Sequence, residues 1–121
     1  MPRFFSPLIA VGLGGAFGTG ARVSLSVAAL NLIPDHTYLA TLLANTLGSA
    51  LIGYFAAQIC SPTRQAFLMT GFCGGFTTFS LFSLEVLSLA QERVSLALGY
   101  AGISLFLWMT GVCAGYRLAR R

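Results

Sequence analysis

Four stretches of this chain, Pro7 to Asn31, Tyr38 to Ile59, Ala66 to Ala90 and Ser95 to Tyr116, carry almost no charge. Each is about as long as the roughly 20 apolar residues that a helix needs to cross a bilayer. The breaks between them are short and polar: Pro34-Asp35-His36, Ser61-Pro62-Thr63-Arg64 and Gln91-Glu92-Arg93. Connections this short make consecutive helices antiparallel neighbours, and four helices put both termini on one side. The chain therefore reads as one all-α transmembrane domain over residues 1–121. A soluble domain carries about 25% charged residues; this one carries 8%, with a mean hydropathy of +0.81. That excludes a soluble enzyme, a disordered chain and a typical nucleic-acid binder.

The net charge of +4 comes from scattered arginines, most of which flank apolar runs. Arg3, Arg64, Arg117, Arg120 and Arg121 fall on the terminal side; Arg93, with Asp35 and Glu92, falls on the other. Positive residues collect in the cytoplasm, so both termini are expected inside. The basic start Met1 to Arg3 faintly resembles a signal peptide, but no clear cleavage site follows, and the first segment reads as a retained helix. Cys60, Cys73 and Cys113 form neither a zinc motif nor a disulfide framework. No cofactor loop, nucleotide motif or hydrolytic dyad points to an enzyme.

Glycine is concentrated: 14 residues, gathered in Gly12 to Gly20, at Gly48 and Gly53, in Gly71 to Gly75 and in Gly99 to Gly115. Small residues at helical spacing let transmembrane backbones approach closely. Gly48 with Gly53, and Gly111 with Gly115, fit that role. Four such helices enclose little interior alone, so a partner subunit is expected.

Polar residues inside an apolar span are functional candidates by default. Arg22 lies about 20 Å along the first helix at 1.5 Å per residue. It either snorkels to the interface or places a fixed positive charge in an aqueous vestibule that draws anions. Asn45 either bonds across to a neighbouring helix or donates its amide to an anion stripped of water. Thr41 shares its face one turn earlier. Gly74-Gly75 followed by Thr77-Thr78, at the centre of an apolar span, invites a break in helix three. Freed carbonyls there suit a cation, and the restarted half-helix suits an anion. Phe79 and Phe82 share one face of that half-helix, with Ser80 and Ser83 beside them. Phenylalanine pairs usually pack cores, yet a ring's positive edge also meets anions. In helix four, Tyr100, Ser104 and Thr110 either bond locally or extend a polar track. Glu85, the one acid inside an apolar run, is expected to face water near the helix end.

Together Gly14 to Arg22, Ala44-Asn45-x-x-Gly48 and Gly74-Gly75-x-Thr77-Thr78-Phe79-Ser80-x-Phe82-Ser83 resemble the small fluoride channels of the Fluc/CrcB family. The resemblance covers nearly the whole chain. It implies a dual-topology antiparallel dimer of four-helix subunits with two pores, a structural sodium ion and a third helix broken mid-membrane. By resemblance, Phe79 and Phe82 are the pore aromatics and Asn45 the amide donor. Thr41, Ser80, Ser83 and Ser104 form a hydroxyl track, with Tyr100 and Thr110 near it. Arg22 sits in the vestibule. Gly74 and Thr77 offer backbone carbonyls to Na+, two from each subunit. Where the family often has Thr between the phenylalanines, this chain has Leu81, one hydroxyl fewer.

The resemblance implies passive export of cytoplasmic fluoride across the bacterial inner membrane. A homodimer is expected, since all motif positions are present; the five-to-one arginine bias makes a paralogous heterodimer the alternative. Two other functions compete. A small multidrug-type proton-coupled cation exporter needs a deep carboxylate early in the chain, where the first two spans have none. A non-conducting assembly subunit would tolerate substitution at Asn45, Phe79 and Phe82.

Overall fold

The computed structural model describes residues 2–58 and 61–121, with side chains described from residue 6 onward. Helix α1 (Pro2–Leu32) leads through a 3-10 turn (Pro34–His36) into α2 (Tyr38–Ala56). The third span is composite. It contains α3 (Pro62–Gln65), a π-helical stretch (Ala66–Cys73), α4 (Gly74–Phe76), two extended residues and α5 (Phe79–Glu92). Arg93 alone separates α5 from α6 (Val94–Ala119). No strand occurs among the described residues.

Four runs among these residues are long and apolar enough to cross a membrane: Ser6–Leu32, Tyr38–Ala56, Pro62–Glu92 and Val94–Ala119. Leu8, Phe17, Leu98, Phe106 and Met109 all face outward, an arrangement suited to lipid as solvent. The chain is an all-helical, multi-pass membrane protein.

The third span begins earlier than the apolar pattern predicts because Ser61 caps it. Its hydroxyl accepts from the Arg64 N–H at 3.4 Å, and Pro62 occupies the first helical position, where a missing N–H costs nothing. The expected end of helix two at Ile59, together with Cys60 and Met1, lies outside the described residues. Cys73 is buried and Cys113 exposed, both as free thiols.

Consecutive spans touch, but the most extensive packing joins alternate ones: α1 with the π-helical stretch and α2 with α6. Glycine explains the pairing. A Cβ on Gly14 would strike the Phe67 carbonyl, and one on Gly18 the Phe72 carbonyl. Gly71 and Gly75 face back toward Gly14 and the Gly15 carbonyl. On the other side, Gly53 meets the Val112 backbone, Gly111 the Thr46 carbonyl and Gly115 the Ala50 carbonyl. Gly14–Phe67 and Gly18–Phe72 climb together, as do Thr46–Gly111 and Ala50–Gly115, so the first and third spans run parallel, as do the second and fourth. None of the described glycines has positive φ. Close approach, not backbone freedom, is what these positions require.

Phe82, Leu89, Ala97 and Tyr100 form the buried apolar cluster, with Tyr38, Leu42 and Trp108 packed against it. The core therefore lies between α2, α5 and α6.

Candidate functional site

Thr77 (φ −87°, ψ 157°) and Thr78 (φ −150°, ψ 121°) are extended, between α4 and α5. β-Branched residues favour that conformation. Thr78 then caps α5, its Oγ1 accepting from the Leu81 N–H at 3.3 Å.

An interruption in a helical run strands backbone groups that must find partners away from water. Asn45 of α2 answers two of them. Its Oδ1 accepts from the Thr78 N–H at 2.7 Å, and its Nδ2 donates to the Thr78 carbonyl at 2.9 Å. The Gly75 carbonyl accepts from Arg22 Nε at 3.2 Å and Thr19 Oγ1 at 3.4 Å. With the Thr78 N–H turned toward Asn45, the Gly74 carbonyl loses its donor four residues on. The Leu81 N–H, turned to the Thr78 side chain, likewise leaves the Thr77 carbonyl. Among the described residues, no side chain donates to either oxygen.

A second polar cluster bridges α2, α5 and α6. Thr41 Oγ1 donates to Glu85 Oε1 at 2.6 Å, and the Tyr100 hydroxyl donates to Glu85 Oε2 at 2.8 Å. The same hydroxyl lies 3.2 Å from the Tyr38 carbonyl. The expectation that Glu85 faces water is corrected here: it is half-buried, and donors from two other helices reach it. Between the two clusters stands Phe82, 6% exposed. Its ring lies 5.5 Å from Phe79, 5.5 Å from Tyr100 and 4.7 Å from Trp108. A cavity of about 350 Å³ opens beside the interruption, lined by Asn45, Thr77, Thr78, Phe79 and Trp108 among others.

The candidates from the sequence divide into two sets. Thr41, Asn45, Phe82, Tyr100 and Ser104 are all buried, and contacts through Glu85, Phe82 and Trp108 link Thr41, Tyr100 and Asn45 into one lane. Phe79 lies on its rim, 68% exposed. Ser80 and Ser83 are exposed: Ser80 Oγ lies 3.4 Å from Thr78 Oγ1, and Ser83 bonds its own helix at the Phe79 carbonyl, 2.9 Å away. Thr110 bonds the Phe106 carbonyl at 2.9 Å. Three lane residues escaped the sequence reading in this role. Glu85 was legible only as an acid in an apolar run and Thr78 as a helix breaker, while Trp108 drew no reading.

Arg22 has no carboxylate partner among the described residues, and its Nε holds the Gly75 carbonyl. Removing that charge-assisted bond by Arg22→Met should cost about 1–3 kcal/mol. Arg22→Lys should not restore it, because a terminal ammonium does not reproduce a planar guanidinium. Unfolding of the three proteins in detergent by denaturant, followed by circular dichroism, checks this. Full rescue by lysine would contradict it.

Among the described residues, neutral donors, an aromatic cluster and stranded backbone carbonyls are thus held inside a four-span membrane protein. Residues 9–116 match the family described as CrcB-like protein, Camphor Resistance (CrcB). A fluoride-specific ion channel FluC of Cereibacter sphaeroides is 37% identical over 118 residues, covering 95% of each chain. A protein of the same name from Francisella tularensis is 39% identical over 119 residues, covering 90% of this chain and 91% of the other. One from Pseudomonas putida is 40% identical over 124 residues, covering 94% and 97%. The chain belongs to the CrcB family, whose relatives here are named as channels and not as enzymes.

Proposed function

We propose that this chain is a passive, fluoride-selective channel. The observation that carries the reading is the pairing of Asn45 with Thr78, which fixes an amide at the interruption of the third span. One N–H of Nδ2 is committed to the Thr78 carbonyl; an amide has a second, available to an anion. Fluoride is small and holds its water strongly, so passage needs donors that replace that water closely. The amide of Asn45, the hydroxyls of Thr41 and Ser104 and the ring edges of Phe79 and Phe82 are neutral. They stabilise the ion without the deep trap of a fixed cation. Ser80 and Ser83 extend the hydroxyl track at its exposed side, and Arg22 raises anion concentration at the vestibule.

The interruption at Thr77–Thr78 lies at mid-membrane in this reading, and the unit is an antiparallel, dual-topology homodimer with two pores. A homodimer inserts in both orientations; a paralogous heterodimer answers the arginine bias instead. The donor-free carbonyls of Gly74 and Thr77 suit a hard cation such as Na+, which takes oxygen ligands, backbone carbonyls among them. They would hold a structural sodium at the subunit interface, where it would neutralise converging carbonyl dipoles. The membrane is the bacterial inner membrane. There an inside-negative potential drives an anion outward by about 2.3 kcal/mol per 100 mV, so a passive pore exports fluoride.

Replacing Phe82 by Ile keeps a buried apolar side chain but removes the ring. In liposomes, fluoride efflux through Phe82→Ile should fall at least about tenfold, with assembly by size-exclusion chromatography unchanged. Undiminished efflux would contradict the aromatic route. The carboxylate of Glu85 keeps one rival in view: proton-coupled cation exchange, driven by a pH gradient and indifferent to fluoride.

A further inference from the structure

We propose that Trp108 donates its indole N–H to the permeating anion, forming with the Ser104 hydroxyl a single fluoride position on α6. This rests on the channel reading above. Tyr100, Ser104 and Trp108 recur every fourth residue, so they form one stripe along the helix. Phe82 contacts the two aromatic ends of that stripe, at 5.5 and 4.7 Å between ring centroids. The turn carrying Ser104 is thereby covered, and Ser104 is 0% exposed.

Ser104 Oγ and Trp108 Nε1 are the buried side-chain polar atoms that lack a hydrogen-bond partner among the described residues. An indole nitrogen can only donate, and a buried tryptophan normally finds an acceptor. Leaving such a donor unmet is costly. The neighbouring donors are already engaged: Thr41 and Tyr100 by Glu85, and one arm of Asn45 by Thr78. The Trp108 N–H and the Ser104 O–H are thus two buried donors with no acceptor within hydrogen-bond reach among the described residues. A small anion fills that deficit. The indole also lines the cavity shared with Asn45, Thr78 and Phe79, which places it on the same route. A hydroxyl at this position would donate equally well; the indole does so while also packing on Phe82.

The chain has one tryptophan, so its indole gives a single, unambiguous 15N–1H resonance. Titration of the labelled protein in nanodiscs with sodium fluoride should move that resonance downfield and saturate, whereas sodium chloride should leave it in place. Loss of one hydrogen bond to a charged group should lower fluoride efflux through Trp108→Phe about tenfold. Trp108→His, which retains a ring N–H, should stay within about threefold of the unsubstituted protein. A resonance indifferent to fluoride, or undiminished efflux through Trp108→Phe, would overturn the role of Trp108. If the unsubstituted protein conducts in the same liposomes, the channel reading survives that result. If it does not conduct, both fall together.

Discussion

Asn45→Asp should abolish fluoride efflux and destabilise the protein. The substitution removes the donor to the Thr78 carbonyl, now 2.9 Å away, and sets a second acceptor against it. The Thr78 N–H keeps its acceptor at the 2.7 Å contact, so the interruption is held on one side only. Two oxygens facing each other in a buried site, one of them charged, should cost about 2–5 kcal/mol. An anion meeting a carboxylate where it needs an amide is also repelled. Together these effects should lower efflux by roughly a hundredfold or more, since each 1.4 kcal/mol is tenfold. Fluoride-electrode recording of efflux, with denaturant unfolding of the same preparation, separates the two contributions. Efflux within a few-fold of the unsubstituted protein would show that the amide does not face the ion.

The largest loss of stability is expected from Gly115→Val. A Cβ there would sit against the Ala50 carbonyl, with the Tyr54 nitrogen 3.0 Å away. Backbone cannot rotate aside as a side chain can, so α2 and α6 must separate. Overpacking costs typically about 1–3 kcal/mol where neighbours can yield, and here the cost should reach or exceed the top of that range. Gly99 and Gly102, on the same helix, have nothing within 4 Å of a built Cβ. Gly99→Ala should therefore be neutral or slightly stabilising through helix propensity. Denaturant unfolding compares the two directly. Equal stability of Gly115→Val and Gly99→Ala would contradict the close approach of α2 and α6.

Much of this was legible in the chain because it is local. Hydropathy over twenty residues marks a span whatever packs on it, and short polar breaks mark its ends. Asn45 and Ser104 stood out as polar residues inside apolar runs, and Phe82 because its pair with Phe79 follows the glycines and threonines and is flanked by hydroxyls. The extended conformation of Thr77 and Thr78 was foreshadowed because two β-branched residues after two glycines weaken a helix. Long-range partnership was not legible in the same way. The glycine clusters signalled close approach but could not say that Gly14 and Gly18 meet the π-helical stretch rather than α2. Glu85 read as an exposed acid because nothing in its own segment supplies a donor; Thr41 and Tyr100 come from two other helices. Ser80 and Ser83 read from spacing only as a polar pair beside the phenylalanines, and as pore hydroxyls through the family resemblance. Their face depends on the phase in which α5 restarts, and the extended pair sets that phase. Trp108 carried no motif, and its unmet N–H exists only once Phe82 covers the turn beside it.

The central claim is selective, passive passage of fluoride, and efflux from liposomes tests it most directly. Purified protein is reconstituted with potassium fluoride or potassium chloride inside, diluted into impermeant-anion medium, and given valinomycin to carry the counter-charge. The expected result is rapid fluoride release that begins on valinomycin addition, with chloride release no faster than from protein-free liposomes. Fluoride release at the protein-free rate, or flux that follows a pH gradient and carries organic cations instead, would contradict it.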